Sequence, residues 1–352
     1  MGLRYHLQEA LKVAPAPWPW TRMIVCGGAT ILPLIYGLLT QQLSISIFGA
    51  LTGFLLVLND HLGTLAHRLI VISLTFIFMA FSLSVGVLVQ GQELIFIPLL
   101  LVLVYWMALM SGEGAELERG LLFGIFQLIA GAYTPGLKPH LGQVFVFALM
   151  GYICVIVLLL LIVFLRRHTP NPFARLRATL KKSLTREKHR HLFAVIYCAT
   201  VLVSILVVQE LEMSHGYWAV GTVLIILRPD TKQSIYRGIQ RFIGTLLGVI
   251  IAEGIIYSVH SPWAAIPIIG VVAFISPWAL VRSYWWGSGM IAIMLLLLLD
   301  LPSIQNGDFH TPLIRLQATG IGCLLALIGV ALMNTHFIRS VMAGLFAFRS
   351  SK

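Results

Sequence analysis

Arg237 and Arg241 stand four residues apart in the stretch SIYRGIQRFIGTLLG, so on a helix they share one face, and Gly244 and Gly248 continue along nearly that face. A guanidinium is a planar fork of fixed charge that takes a carboxylate through two parallel hydrogen bonds. Two of them above a glycine seam form a cationic mouth suited to collecting organic anions, or else an anchor for lipid phosphates. Arg68 holds the corresponding place in the first half of the chain, where His67 beside it completes a weaker pair. Arg315 leads a second polar stripe with Thr319 and Gly322, which either extends an anion path or snorkels to headgroups. Glu253 follows Arg241 by twelve residues, about 18 Å along a helix, and is the one acid placed well inside an apolar span. A carboxyl there is protonated unless paired or hydrated, making it a proton-coupling candidate or a neutral hydrogen-bonding acid.

Other singled-out residues read as structural. Asp230 follows Pro229 where a helix N-cap belongs, with Asp60 as its counterpart within one residue. Gly49 and Gly53, like Gly244 and Gly248, have the GxxxG spacing that lets helix backbones approach closely. There is no Walker loop, GxGxxG, HExxH or GxSxG, so no enzyme chemistry and no cofactor are expected. Cys26, Cys154, Cys198 and Cys323 lie in apolar spans without CxxC spacing, and the eleven histidines show no ligand spacing, so no metal site is expected. Trp18, Trp20, Tyr217, Trp218, Tyr284, Trp285 and Trp286 fall at span ends as interfacial belts.

The elements that must carry these residues are membrane helices. The chain has 352 residues, 59% hydrophobic and 11% charged, far from the soluble norm of about 45–50% apolar and about 25% charged. Twelve apolar stretches are predicted near 21–40, 43–59, 68–90, 94–112, 120–135, 141–165, 193–211, 215–228, 241–259, 262–281, 285–301 and 312–335. Those at 43–59, 120–135 and 215–228 are short for a crossing of roughly 20 residues, so they read as tilted, broken or re-entrant, and ten to twelve crossings are expected. Ala50, Arg68 and Pro98 recur as Ala219, Arg237 and Pro267, a constant shift of 169, the mark of an internal duplication.

The resulting organisation is an amphipathic lead-in at 1–20 with no cleavable signal, a first repeat at 21–165, a basic linker at 166–192, a second repeat at 193–335 and a tail at 336–352. The net charge of +11 sorts almost wholly to one side once the spans alternate. That is the positive-inside pattern of a membrane protein with both termini cytoplasmic, not a nucleic-acid footprint. The linker reads as an amphipathic helix on anionic lipid. An even number of spans per repeat predicts an all-α fold of two parallel repeats, with substrate crossing between them.

The stretch from Gly216 to Glu253, with YWA, an apolar helix, the RPD turn, the arginine pair and GTLLG, resembles the fusaric acid resistance family of inner-membrane transporters, which includes aromatic carboxylic acid exporters. The first half fits through GALTGF (Gly49 to Phe54) and the turn from Asn59 to Arg68, and the end through RLQATGIG (Arg315 to Gly322). The resemblance implies export of organic anions from the bacterial inner membrane, driven by membrane potential or a proton gradient. A large soluble domain common in the family is here a segment of about 27 residues. A gated anion channel and a non-transporting membrane scaffold are the alternatives. Expected partners are membrane lipid, a small organic anion, a periplasmic adaptor and a second copy of the chain.

Overall fold

The computed structural model describes residues 11–60, 63–112, 114–134, 136–163, 188–213, 215–303 and 311–334. Most of the expected linker, the tail and the start of the lead-in lie outside the described residues. Within them the chain is all-α, with twelve α-helices and no strand. The first six are α1 (Trp20–Leu39), α2 (Leu43–Asn59), α3 (Leu65–Leu88), α4 (Glu93–Met110), α5 (Ala115–Tyr133) and α6 (Leu141–Val163). The second six are α7 (Lys188–Glu210), α8 (Tyr217–Ile226), α9 (Thr231–Ser258), α10 (Pro262–Arg282), α11 (Tyr284–Asp300) and α12 (Thr311–Asn334).

Eight of these are long and apolar enough to cross a bilayer. Helices α2, α8 and α11 are shorter, and α5 carries Glu116, Glu118 and Arg119 in its first turns. Several helices begin well before the apolar stretch that announces them: α9 starts at Thr231 and α5 at Ala115, against expected starts at 241 and 120. Hydropathy sees only the part in lipid, whereas the polar first turns of a helix continue outside it. Proline inside α1, α4 and α10 (Pro33, Pro98, Pro267 and Pro277) is tolerated because neighbouring helices re-satisfy the freed carbonyls.

A shift of 169 carries each of the first six helices onto one of the last six, and packing follows the same correspondence. Helix α3 packs on α5 as α9 does on α11, α2 on α6 as α8 on α12, and α1 on α2 as α7 on α8. Between halves the contacts are reciprocal: α1 meets α10 and α4 meets α7. A two-fold relation produces that reciprocity, and parallel repeats about such an axis remain our proposal. One apolar core runs through both halves, with Phe54, Leu100, Tyr197 and Ile269 among its buried members. Leu94, Phe81, Ile77 and Trp263 project from the outer surface, where a chain with membrane-length helices meets lipid.

Glycine makes the tight seams. A Cβ added at Gly248 would stand 2.7 Å from the Gly289 carbonyl oxygen, one at Gly53 2.6 Å from that of Ala29, and one at Gly49 2.5 Å from that of Phe147; real side chains do not fit there. Gly244 faces Trp285 and Ser288 of α11 in the same way.

Gln92 and Ser261 are exposed at equivalent turns, 169 residues apart. Cysteines placed at both should react with a membrane-impermeant maleimide from the same side of the membrane. Labelling from opposite sides refutes parallel repeats.

Candidate functional site

At the end of the bundle where α2 turns into α3, charges are paired. Asp60 takes both forks of Arg68, from Nε at 2.7 Å and from Nη2 at 2.5 Å, and both side chains are buried. The cap of α3 is Thr64, whose hydroxyl accepts from the His67 amide. Asp60 is therefore an ion-pair partner where a helix cap was expected, whereas Asp230 does cap α9, accepting from the Lys232 amide. His67 Nε2 lies 2.8 Å from Glu116, and Asn59 donates to Thr75 at 2.8 Å and to the Glu116 carbonyl at 3.1 Å. Arg22 and Arg119 close the carboxyl end of α2, donating to the carbonyls of Val57 and Leu58 at 3.3 and 3.1 Å, where cations offset the partial negative charge of the helix end. Glu118 reaches across the halves to an ion pair with Arg228.

In the second half, Arg237, Arg241 and Arg315 have no carboxylate partner among the described residues. Arg237, half-buried, lies over the Tyr284 ring at 5.1 Å. One turn on, Arg241 is 3% exposed and donates to Ser288 Oγ at 3.3 Å, while its Nε has no partner. One further turn on, the hydroxyl of fully buried Thr245 also has none. Helix α12 packs along α9 and α8. From it Arg315, 5% exposed, stacks over Trp218 of α8 at 4.3 Å, again with Nε unpartnered. Arg315 lies within electrostatic reach of Arg241. Thr319 donates to the Arg315 carbonyl at 2.9 Å, and Cys323 to that of Gly238 at 3.8 Å. Arg237, Arg241 and Thr245 on one helix and Arg315, Thr319 and Cys323 on the other thus repeat at four-residue steps along two facing helices.

Arg315 faces inward, which removes the snorkelling alternative raised by its nearness to a span end. Glu253 is corrected in the other direction. It is exposed, five residues from the end of α9 at Ser258, and turned away from the buried Arg241 and Thr245 of the same helix. Sequence reasoning missed Glu116, Glu118, Arg119, Arg22 and Arg228, which lie at helix starts or turns where charge looks like ordinary loop polarity. It also missed Thr245 and Ser288, which carry no charge to flag them. Their signal was periodic: Thr245 follows Arg241 by one turn, and Ser288 sits on the face of α11 that the glycine seam brings to α9.

The positions 169 residues before Arg241, Thr245, Arg315 and Thr319 are Ile72, Phe76, Val146 and Met150, and those 169 after Asp60, Glu116 and Glu118 are Pro229, Trp285 and Gly287. The paired acids Asp60, Glu116 and Glu118 thus belong to the first half, and the buried Arg241 and Arg315 to the second. No group of three His, Cys, Asp or Glu residues with metal-site geometry occurs among the described residues.

Replacing Asp60 with Asn leaves the buried Arg68 without a counter-charge. It should cost about 3–5 kcal/mol, read as a large fall in thermal stability in detergent. Asp230→Asn keeps an equally good cap and should leave the transition unchanged.

Residues 182–329 match the family described as fusaric acid resistance protein-like. The inner membrane protein YccS of Escherichia coli strain K12 is 27% identical over 161 residues, a match covering 45% of this chain and 22% of that relative. The chain therefore corresponds to well under two thirds of that protein's length. No solved structure matches the chain. The family match thus falls on the second half, the half that carries buried Arg241 and Arg315, and is a likeness of that part of the chain.

Proposed function

We propose that the protein exports organic anions, with aromatic carboxylates as the favoured class, along a route inside the second half lined by Arg237, Arg241, Thr245, Arg315 and Thr319. The observation that carries this reading is the pair Arg241 and Arg315, two buried cations within electrostatic reach of each other and, among the described residues, without a carboxylate partner. Burying two like charges in an apolar bundle is strongly unfavourable unless a counter-charge joins them. A carboxylate placed between them meets unpartnered guanidinium Nε atoms and the free Thr245 hydroxyl. Trp218 and Tyr284, each stacked on one of the route's arginines, offer ring faces to an aromatic substrate. This moves the route from the seam between the halves, where the duplication alone would put it, into one half.

Membrane potential suffices as driving force. One negative charge leaving a cell held at about −100 mV gains about 2.3 kcal/mol, roughly a 40-fold gradient. Exposed Glu253 lies off this route, so proton coupling through it is not part of the reading.

Efflux of benzoate and related acids, measured in inverted vesicles under an imposed potential, tests the proposal. Arg241→Gln and Arg315→Gln should each lower flux about tenfold to hundredfold, the worth of a charged hydrogen bond, while Arg282→Gln, an exposed-side stack on Trp278 and Trp286, should not. Glu253→Gln should keep the wild-type response to both voltage and pH gradients. Equal flux in all variants refutes the route, and flux that fails to saturate identifies a channel in place of a carrier.

A further inference from the structure

The inter-half pair of Glu118 and Arg228 stands apart from the other ion pairs. Asp60 and Arg68 are neighbours in sequence, and His67 and Glu116 lie within the first half. Glu118 instead carries the charge of one half into the cationic side of the other. It is loosely held apart from that charge: Ser111 Oγ and the Gly112 amide approach its two oxygens only at 3.4 Å each. Arg228 is correspondingly unsaturated. Its Nη1 reaches Ser111 Oγ at 3.5 Å, and its buried Nε has no partner. Arg237, the first arginine of the route, acts on Arg228 electrostatically, and so does Tyr284, over which Arg237 lies.

We propose that Arg228, Ser111 and the Gly112 amide form a carboxylate-binding site at the head of the route, which the chain's own Glu118 occupies in this conformation and which the exported anion takes over by displacing it. This rests on the anion-export reading and adds the first binding step to it. The chemistry is an exchange of like for like: one carboxylate leaves the guanidinium as another arrives, so Arg228 is never left as a bare buried charge. The incoming anion gains the free Nε of Arg228 as a second fork donor. Displacing Glu118 also breaks a tie between the halves, so occupancy and loosening of the seam are one event.

The test is equilibrium dialysis of labelled benzoate against the full chain in nanodiscs. A tethered carboxylate competes at an effective concentration of about millimolar or more, so Glu118→Gln should bind benzoate at least about tenfold more tightly than wild type. Arg228→Gln in that background should abolish the gain. Glu116→Gln removes a carboxylate two residues away that engages His67, not Arg228, and should change binding less than about twofold. Equal gains from Glu116→Gln and Glu118→Gln would mean a general field effect and overturn the site, as would no gain from Glu118→Gln. If that variant does not fold, Glu118→Asp, which shortens the reach to Arg228, should give a gain of a few-fold, and none overturns the site. The two proposals separate cleanly. Unchanged binding in Glu118→Gln with efflux still lost in Arg241→Gln removes this site alone. Tighter binding in Glu118→Gln with efflux intact in Arg241→Gln and Arg315→Gln removes the route and leaves the site.

Discussion

Two guanidinium charges inside an apolar bundle, without a carboxylate partner among the described residues, are the constraint on which the second half turns. Their surroundings satisfy Arg241 and Arg315 only in part. Ser288 takes one donor of Arg241, the face of Trp218 takes the charge of Arg315, and the Thr319 hydroxyl bonds to the carbonyl of its own turn. The glycine seam of α9 and α11 belongs to the same arrangement. Ser288 reaches Arg241 because Gly244 and Gly248 let the two helices approach backbone to backbone; any side chain at those positions would push the hydroxyl out of range.

The correspondence of the two sets of six helices bears on how such an arrangement can coexist with a stable protein. The first half keeps the same helices and contacts, yet its one arginine at the equivalent of Arg237, Arg68, is neutralised by Asp60 with two hydrogen bonds, and its equivalents of Arg241 and Arg315 are the apolar Ile72 and Val146. One copy of the layout thus pairs Arg68 and His67 with its own acids and has apolar residues at the positions of Arg241 and Arg315. The other leaves its charges open. Reciprocal packing of α1 with α10 and of α4 with α7 braces the open half against the closed one.

Much of this was legible in the sequence. The twelve helices, the shift of 169 and the shared face of Arg237 and Arg241 follow from hydropathy and from the 3.6-residue period. What escaped was set by tertiary contact. Nothing local distinguishes Asp60, which pairs, from Asp230, which caps, since both sit in a polar turn before a helix; the difference is that Arg68 folds back eight residues to meet Asp60, whereas the equivalent place in the second half is Pro229. The outward face of Glu253 escaped because hydropathy gives a position along the helix and not the side that packs on a neighbour. Arg22 and Arg119 looked like ordinary cations near the bilayer surface, and only the folded bundle brings both to the end of α2.

Helix α8 shows why the cationic seam lies where it does. Its ten residues cover about 15 Å, half of a hydrocarbon core of about 30 Å. The chain then leaves the helix at Leu227 in extended conformation and bends at Pro229 and Asp230 into α9. Non-helical backbone within a membrane bundle is tolerated only where protein or water satisfies it. Ser234 does so from the first turn of α9: its hydroxyl accepts from the Arg228 amide at 2.8 Å and lies 3.1 Å from the carbonyls of both Arg228 and Asp230. The Tyr197 hydroxyl takes the Leu224 carbonyl that the broken helix leaves free. With its backbone secured in this way, the turn can present the Arg228 side chain to the seam between the halves, where a continuous helix would have carried it away along the bundle axis.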